Sequence, residues 1–225
     1  MIRAILFDLF ETLITESRVP PTRASALGEA LGLEGEAFRV EWKARRPLVM
    51  VGQLSFGEAL TEISMALAGG VNAVAVQRVC EQRVREKAIA FAEIDQDIAA
   101  MLTELRGRGL SVGVISNCFA EDVRAWSTWP LSRQFQCSVF SYAARIAKPD
   151  PEIYLNAVSE LHVEPNTTVF IADGGDGELA GAERAGLRAF RAEWFGRRGS
   201  YVRAASEHAA GFATPQDVLT LVDTG

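Results

Sequence analysis

Four places in the chain put chemically capable side chains where a fold can use them. Asp8 follows an apolar run at residues 2–7, Ser116 and Asn117 follow one at 110–115, and Asp173 follows one at 168–172. Lys148 stands in a loop ahead of a helical pattern. Short apolar runs of this kind read as strands buried on both faces of a parallel sheet. Ligands of such sheets bind outside the carboxyl ends of the strands, and this reading gathers all these residues there. The set comprises two acids, a hydroxyl with backbone amides beside it, and one ammonium. Asp8 and Asp173 offer the oxygen ligands that Mg²⁺ takes, and Ser116 and Lys148 can receive a substrate's negative charge. An aspartate can also attack directly, forming a covalent intermediate that water then hydrolyses. A strand-end acid alone often merely caps the next helix; the combination points to a small anionic substrate beside a hard cation.

The elements that must position these residues alternate between strand and helix. Ile98, Met101, Leu102 and Leu105 form one face of a helix closed by Gly107 and Gly109. The pattern then predicts a short helix at 121–126, a strand at 138–142 and a helix at 151–161 with Pro151 at its start. A helix at 178–185 is stopped by Gly186, an edge-like strand follows at 187–192, and a last helix at 215–222. Alternation of this kind predicts an α/β, doubly wound parallel sheet covered on both faces. One stretch breaks the alternation. After a break at Ser17 to Pro21, residues 22–86 are helical throughout, with Leu27 and Leu31, Phe38 and Trp42, and Leu60, Ile63 and Leu67 at helical spacing. Such a stretch reads as a small helical bundle inserted into the other domain. The expected division is a core of residues 1–14 and 95–225 with a cap at 15–94.

Composition removes several function classes. The 225 residues are 48% hydrophobic and 23% charged, and a chain of this length buries roughly 70% of its unfolded surface without staples. A net charge of -6 argues against nucleic acid or an anionic membrane as partner. The longest apolar stretches, about eight residues, fall far short of the roughly 20 that a membrane helix needs. The N-terminus runs straight into a strand pattern, so no signal peptide is expected. Cys80, Cys118 and Cys137 form no CxxC pair, which points to a reducing, cytoplasmic setting. His162 and His208 lie in no motif. No feature specifies an oligomeric state.

With these residues in order, the chain resembles the haloacid dehalogenase (HAD) superfamily of hydrolases over essentially its whole length. The segment from Ile5 to Leu13 is similar to the family's first motif, D-x-D-G-T after an apolar strand; Val114 to Asn117 is similar to the second, and Lys148 to Pro151 to the third. Phe170 to Leu179, followed by Gly181 to Gly186, resembles the acidic fourth motif, and the helical insert falls where many members carry a cap. The resemblance implies a Rossmann-type core and a role for each matching residue. Asp8 would be the nucleophile and Lys148 would neutralise charge. Ser116 and the amide of Asn117 would bind the transferring group. Mg²⁺ would be held by Asp8, the backbone carbonyl of Phe10, Asp173 and Glu178, which stands five residues after Asp173 with Asp176 as a rival.

The departures from the pattern are as informative. The family's phosphatases carry at position 10 an aspartate that protonates the leaving oxygen; Phe10 cannot, and loss of such a group costs roughly 10² to 10⁴-fold. Glu11 is a conceivable substitute donor. The 2-haloacid dehalogenases of the family tolerate an aromatic residue there, because halide leaves without a proton. Tyr154, six residues after Lys148, and a cap arginine, Arg45 or Arg46, beside Phe38 and Trp42 resemble the substrate-binding residues of that branch. Asp173 points the other way, since dehalogenases have little use for a metal-holding acid. The resulting expectation is a Mg²⁺-dependent phosphatase. A metal-independent dehalogenase and a catalytically quiet binding protein are the rivals.

Overall fold

The computed structural model describes residues 1–19, 22–197 and 210–222; Pro20, Pro21 and His208, named above, lie outside that range. Its centre is strand β1 (Ala4–Phe7), all four residues of which are buried. Side chains alternate across a strand, so Ile5 and Phe7 enter one apolar cluster while Ala4 and Leu6 enter another on the opposite face. Strands β2 (Ser111–Ser116), β3 (Cys137–Phe140), β4 (Thr168–Ala172), β5 (Arg188–Ala192) and β6 (Gly211–Phe212) complete a six-stranded sheet. Its order is β3-β2-β1-β4-β5-β6 and every pairing is parallel. Gly113 on β2 is demanded by packing, since a Cβ there would lie 2.7 Å from Leu6 Cδ2 and 2.8 Å from Cys137 Sγ.

Between β1 and β2 the chain forms α1 (Ala24–Ala30), α2 (Gly35–Met50), α3 (Phe56–Ala68), α4 (Ala73–Phe91) and α5 (Gln96–Gly107). Helices α1 to α4 make the expected strandless insert, with a core of its own built on Phe38, Trp42, Phe56, Leu60, Ile63, Val76 and Val79. Their starts are written locally: Ser55 and Glu58 form a reciprocal capping box on α3, and Asn72 caps α4. The rest of the chain supplies α6 (Ser141–Ala144), α7 (Pro151–Glu160), α8 (Glu178–Arg184) and α9 (Trp194–Arg197). Among the described residues no helix is long and apolar enough to cross a membrane.

Three local expectations are corrected. Residues 121–126 do not form an α-helix; turns lead into a short 3₁₀ segment, Trp126–Thr128. Pro130 biases Trp129 to extended backbone and leaves no room for another helical turn. The segment Pro215–Leu221 is also 3₁₀. The strand expected at 138–142 ends at Phe140, because Ser141 and Tyr142 already belong to α6. The two-residue strand β6 is too short to leave a periodic signal.

Candidate active site

Asp8 is the first residue beyond β1 and is buried; its backbone N–H donates to Ile171 on β4 at 2.9 Å. The Lys148 ammonium, also buried, donates to Asp8 Oδ1 and to Glu178 Oε2, each at 2.5 Å. Glu178 opens α8, and its other oxygen accepts from the backbone N–H groups of Gly174 and Gly175 at 3.1 and 3.0 Å. Glu178 thereby joins the lysine to the loop that carries Asp173. Asp173 is half-buried, and its Oδ1 accepts from the Gly175 N–H at 3.1 Å. Carboxylate oxygens of Asp8, Asp173 and Glu178 all lie within 4.8 Å of one another.

This crowding sets the charge states. Burial drives the Asp8 carboxyl up to about 7; Lys148 opposes the rise, and the Glu178 and Asp173 carboxylates add to it. Burial works against the charged form of Lys148 too, but Asp8 and Glu178 outweigh it and hold the ammonium above its ordinary pKa. Lys148 is therefore a permanent cation between two acids.

The β2 end contributes differently from each residue. Ser116 is buried at the end of β2, and among the described residues its Oγ has no hydrogen-bond partner; it lies behind the residues that line the cavity. The Asn117 side chain does not face outward as a ligand group alone. Its amide nitrogen donates to the Lys148 carbonyl and its oxygen accepts from the Lys148 N–H, both at 2.8 Å.

A cavity of about 670 Å³ opens above these strand ends, a size suited to a small molecule. Asp8, Phe10, Asn117, Lys148, Asp173 and Glu178 line it from the sheet side, and Arg83, Glu86 and Lys87 of α4 line it from the insert. The Phe10 ring packs edge-on against Phe91, with centroids 6.5 Å apart, and the Lys87 ammonium stands 4.8 Å from the Phe10 centroid. Lys87 also pairs with Glu16 at 2.5 Å. Glu11, the conceivable proton donor, has both oxygens engaged in its own loop, accepting from Thr15 Oγ1 at 2.9 Å and the Glu16 N–H at 2.7 Å.

Three sequence-derived assignments are placed elsewhere. Arg45 is held by Glu41 at 2.5 Å and by Glu62 at 3.2 Å, Arg46 is exposed, and neither lines the cavity. The reason is the rotation of α2 about its axis: Phe38 and Trp42 point into the insert's own core, and the arginines flank them on the outside. The insert's cations that line the cavity are Arg18, ahead of α1, and Arg83 and Lys87 of α4, which fall four residues apart on one face. That spacing was visible in the sequence but is equally the mark of a solvated face. Tyr154 is buried beneath the site; its hydroxyl donates to the Glu178 carbonyl at 2.7 Å and its ring packs edge-on against Phe170. It supports α8 and does not line the cavity. Asp176, the rival to Glu178, lines the cavity from an exposed position.

The family model described as haloacid dehalogenase-like hydrolase matches residues 2–186. The chain is 25% identical over 207 residues to glyceraldehyde 3-phosphate phosphatase of Methanopyrus kandleri, covering 89% of this chain and 86% of that protein. It is also 25% identical over 215 residues to (S)-2-haloacid dehalogenase 4A of Burkholderia cepacia, covering 92% and 90%. A HAD family enzyme of Bacteroides thetaiotaomicron, solved with magnesium and inorganic phosphate, shares the fold at a TM-score of 0.63 and 18% identity, over 85% of this chain and 94% of that one.

Proposed function

The chain belongs to the haloacid dehalogenase-like hydrolases, and from that premise we propose that it is a Mg²⁺-dependent phosphatase acting on a small phosphate ester through Asp8. One observation carries this reading. Three carboxylates, Asp8, Asp173 and Glu178, share a site in which Lys148 is the cation between two of them. Like charges this close repel, and an all-oxygen donor set suits a hard divalent cation. The donors fit Mg²⁺: Asp8, Asp173 and the Phe10 carbonyl would hold it, while Glu178 has its oxygens committed to Lys148 and to the loop. When bound, the ion supplies neutralising charge for the nucleophile and the transferring group.

The residues then divide the work. An Asp8 carboxylate oxygen attacks phosphorus, the bond from phosphorus to the leaving oxygen breaks, and an aspartyl phosphate forms. Water then attacks phosphorus, releasing phosphate and restoring Asp8. Lys148 holds Asp8 Oδ1 and balances its charge, Asn117 holds Lys148, and the free Ser116 hydroxyl donates to a phosphoryl oxygen. Phe10 offers no proton to the leaving oxygen, so the site favours esters whose leaving group is stable as an anion. Residues 15–94 would act as the cap that selects among them. The names of curated relatives support a phosphate substrate, and a cytoplasmic location accords with three free cysteines.

A second reading has its own observation. The Phe10 ring forms an apolar wall beside the nucleophile, which suits attack at carbon with departure of halide, and a relative carries the name 2-haloacid dehalogenase. A paired assay separates the two. Phosphate release that EDTA abolishes supports the phosphatase; halide release from 2-chloropropionate in the presence of EDTA replaces it with the dehalogenase. Silence in both leaves a binding protein.

A further inference from the structure

The loop that leaves β2 with Ser116 and Asn117 does not end at the site. Two residues on, Phe119 leaves the sheet domain and enters the core of the helical insert, with its ring centroid 5.9 Å from both Phe56 and Trp42. Asp122, buried in the next turn, accepts from the Phe119 N–H at 3.0 Å. The same carboxylate receives Arg83 of α4: Nε lies 2.7 Å from Oδ1, and a terminal nitrogen donates to Oδ2 at 3.0 Å. The Arg83 guanidinium lies over the Phe119 ring at 4.5 Å, and Arg83 lines the cavity. The same loop is tied to the insert a second time. Ser141 Oγ accepts from the Cys118 N–H at 3.0 Å and donates to the Met50 carbonyl, at the end of α2, at 2.7 Å.

A cavity-lining arginine of the insert is thus one ion pair away from the backbone of the loop that presents Ser116 and Asn117. We infer that the Arg83–Asp122 pair couples the insert to that loop, so that whatever meets Arg83 in the cavity sets the geometry with which Ser116 and Asn117 grip the transferring group. Arg83 reads the part of the substrate remote from the reacting bond. Asp122 and Phe119 are positioning residues, because they act through the loop and do not touch the reacting atoms. The arrangement has the ingredients of energetic coupling between two sites, a contiguous set of charged and packed contacts with a functional group at either end. Like-for-like independence of the two ends is the alternative, and a double-mutant cycle distinguishes it.

The test compares R83Q, D122N and the double variant with the wild-type chain, and uses R85Q, an exposed neighbour on α4, as the control. Amide NMR spectra of the free proteins are expected to show the Ser116 and Asn117 resonances displaced in R83Q as in D122N, and no further in the double variant. With Mg²⁺ and a phosphate ester, kcat is expected to fall about tenfold in either single variant, with KM little changed in D122N and raised in R83Q, which also loses the substrate contact; the fall lies within the 5 to 150-fold span of typical couplings. The double variant should be no worse, and R83K should recover most of the loss. Unmoved Ser116 and Asn117 amides in R83Q, or kcat losses that multiply in the double variant, overturn the inference. Should D122N fail to fold, R83Q against R83K decides by the same amide measurement. The kcat arm rests on the phosphatase reading and the amide arm does not. Amides displaced in R83Q, together with a wild-type protein that releases no phosphate, would remove that reading and leave the coupling in place.

Discussion

The side-chain amide of Asn117 brackets the backbone of Lys148, with Nδ2 donating to its carbonyl and Oδ1 accepting from its N–H, each at 2.8 Å. Two loops that are 31 residues apart in the chain are held in register by one amide plane. The position of the Lys148 ammonium against Asp8 depends on that register, because the long lysine side chain is aimed from its backbone.

Asn117→Ala is therefore expected to lower kcat by about 10 to 100-fold, on the scale that small misplacements of catalytic groups cost. KM for a phosphate ester should change much less, since Ser116 and the cavity walls remain. Asn117→Asp should be at least as harmful, because a carboxylate cannot donate to the Lys148 carbonyl. Steady-state kinetics of both variants check this. Activity within twofold of wild type in Asn117→Ala would mean that Lys148 is held without the bracket.

Stability without metal should depend on pH with a definite sign. The Asp8 carboxyl rises from 3.8 to about 7 in the folded chain. Between those values the native state keeps a proton that the unfolded chain has released, so the stability that this proton confers is lost as pH rises through about 7. The melting temperature in EDTA is expected to fall across pH 4 to 7 and to flatten above that. Asp8→Asn should remove this component, melt several degrees higher than wild type at pH 7.5 in EDTA, and show no turnover. Saturating Mg²⁺ should raise the wild-type melting temperature more than that of the variant.

Phe10→Asp restores a proton donor two residues after the nucleophile. If the remainder of the site is a working phosphatase, kcat on esters with poor leaving groups should rise, by up to the 10² to 10⁴-fold that a placed acid/base contributes. Esters with good leaving groups should gain little. An equal gain for both, or none, would show that proton transfer to the leaving oxygen does not limit this enzyme.

Glu178→Gln tests the second arm of the lysine's pairing. The amide oxygen can still accept from Gly174 or Gly175, but the charge that balances Lys148 is halved. Expected outcomes are a kcat loss of about tenfold or more, consistent with removal of one charge-assisted contact in a buried cluster. Mg²⁺ dependence should be retained, because Asp8 and Asp173 remain. Asp173→Ala should instead abolish the Mg²⁺ dependence together with the activity. Metal titrations of the two variants side by side separate a residue that places the lysine from one that holds the ion.

The sequence alone determined the parts of this protein that depend on near neighbours in the chain. Apolar runs such as Ile5 to Phe7 and Val112 to Ile115 specify strands buried on both faces, and an acid or hydroxyl after each must emerge at the strand's carboxyl end. Alternation with helices makes the sheet parallel, and the strandless stretch before β2 makes an insert. Asp8, Ser116 and Asp173 were legible for that reason and Lys148 from its loop ahead of the helix that starts at Pro151, and their order is what the family resemblance rests on. Rotation of a helix about its axis and contacts between distant loops leave no such local trace. Phe38 and Trp42, four residues apart, were readable as the insert's core, but only the tertiary structure left Arg45 and Arg46 outside it while bringing Arg83 and Lys87 of α4 to the cavity. It alone spent both Glu11 oxygens on the Glu11 loop and set Tyr154 under Glu178. It also tied Asn117 to Lys148 and Asp122 to Arg83, 39 residues apart. Those assignments depend on which surfaces bury the most apolar area against one another, a property of the whole packed chain that no window of sequence contains.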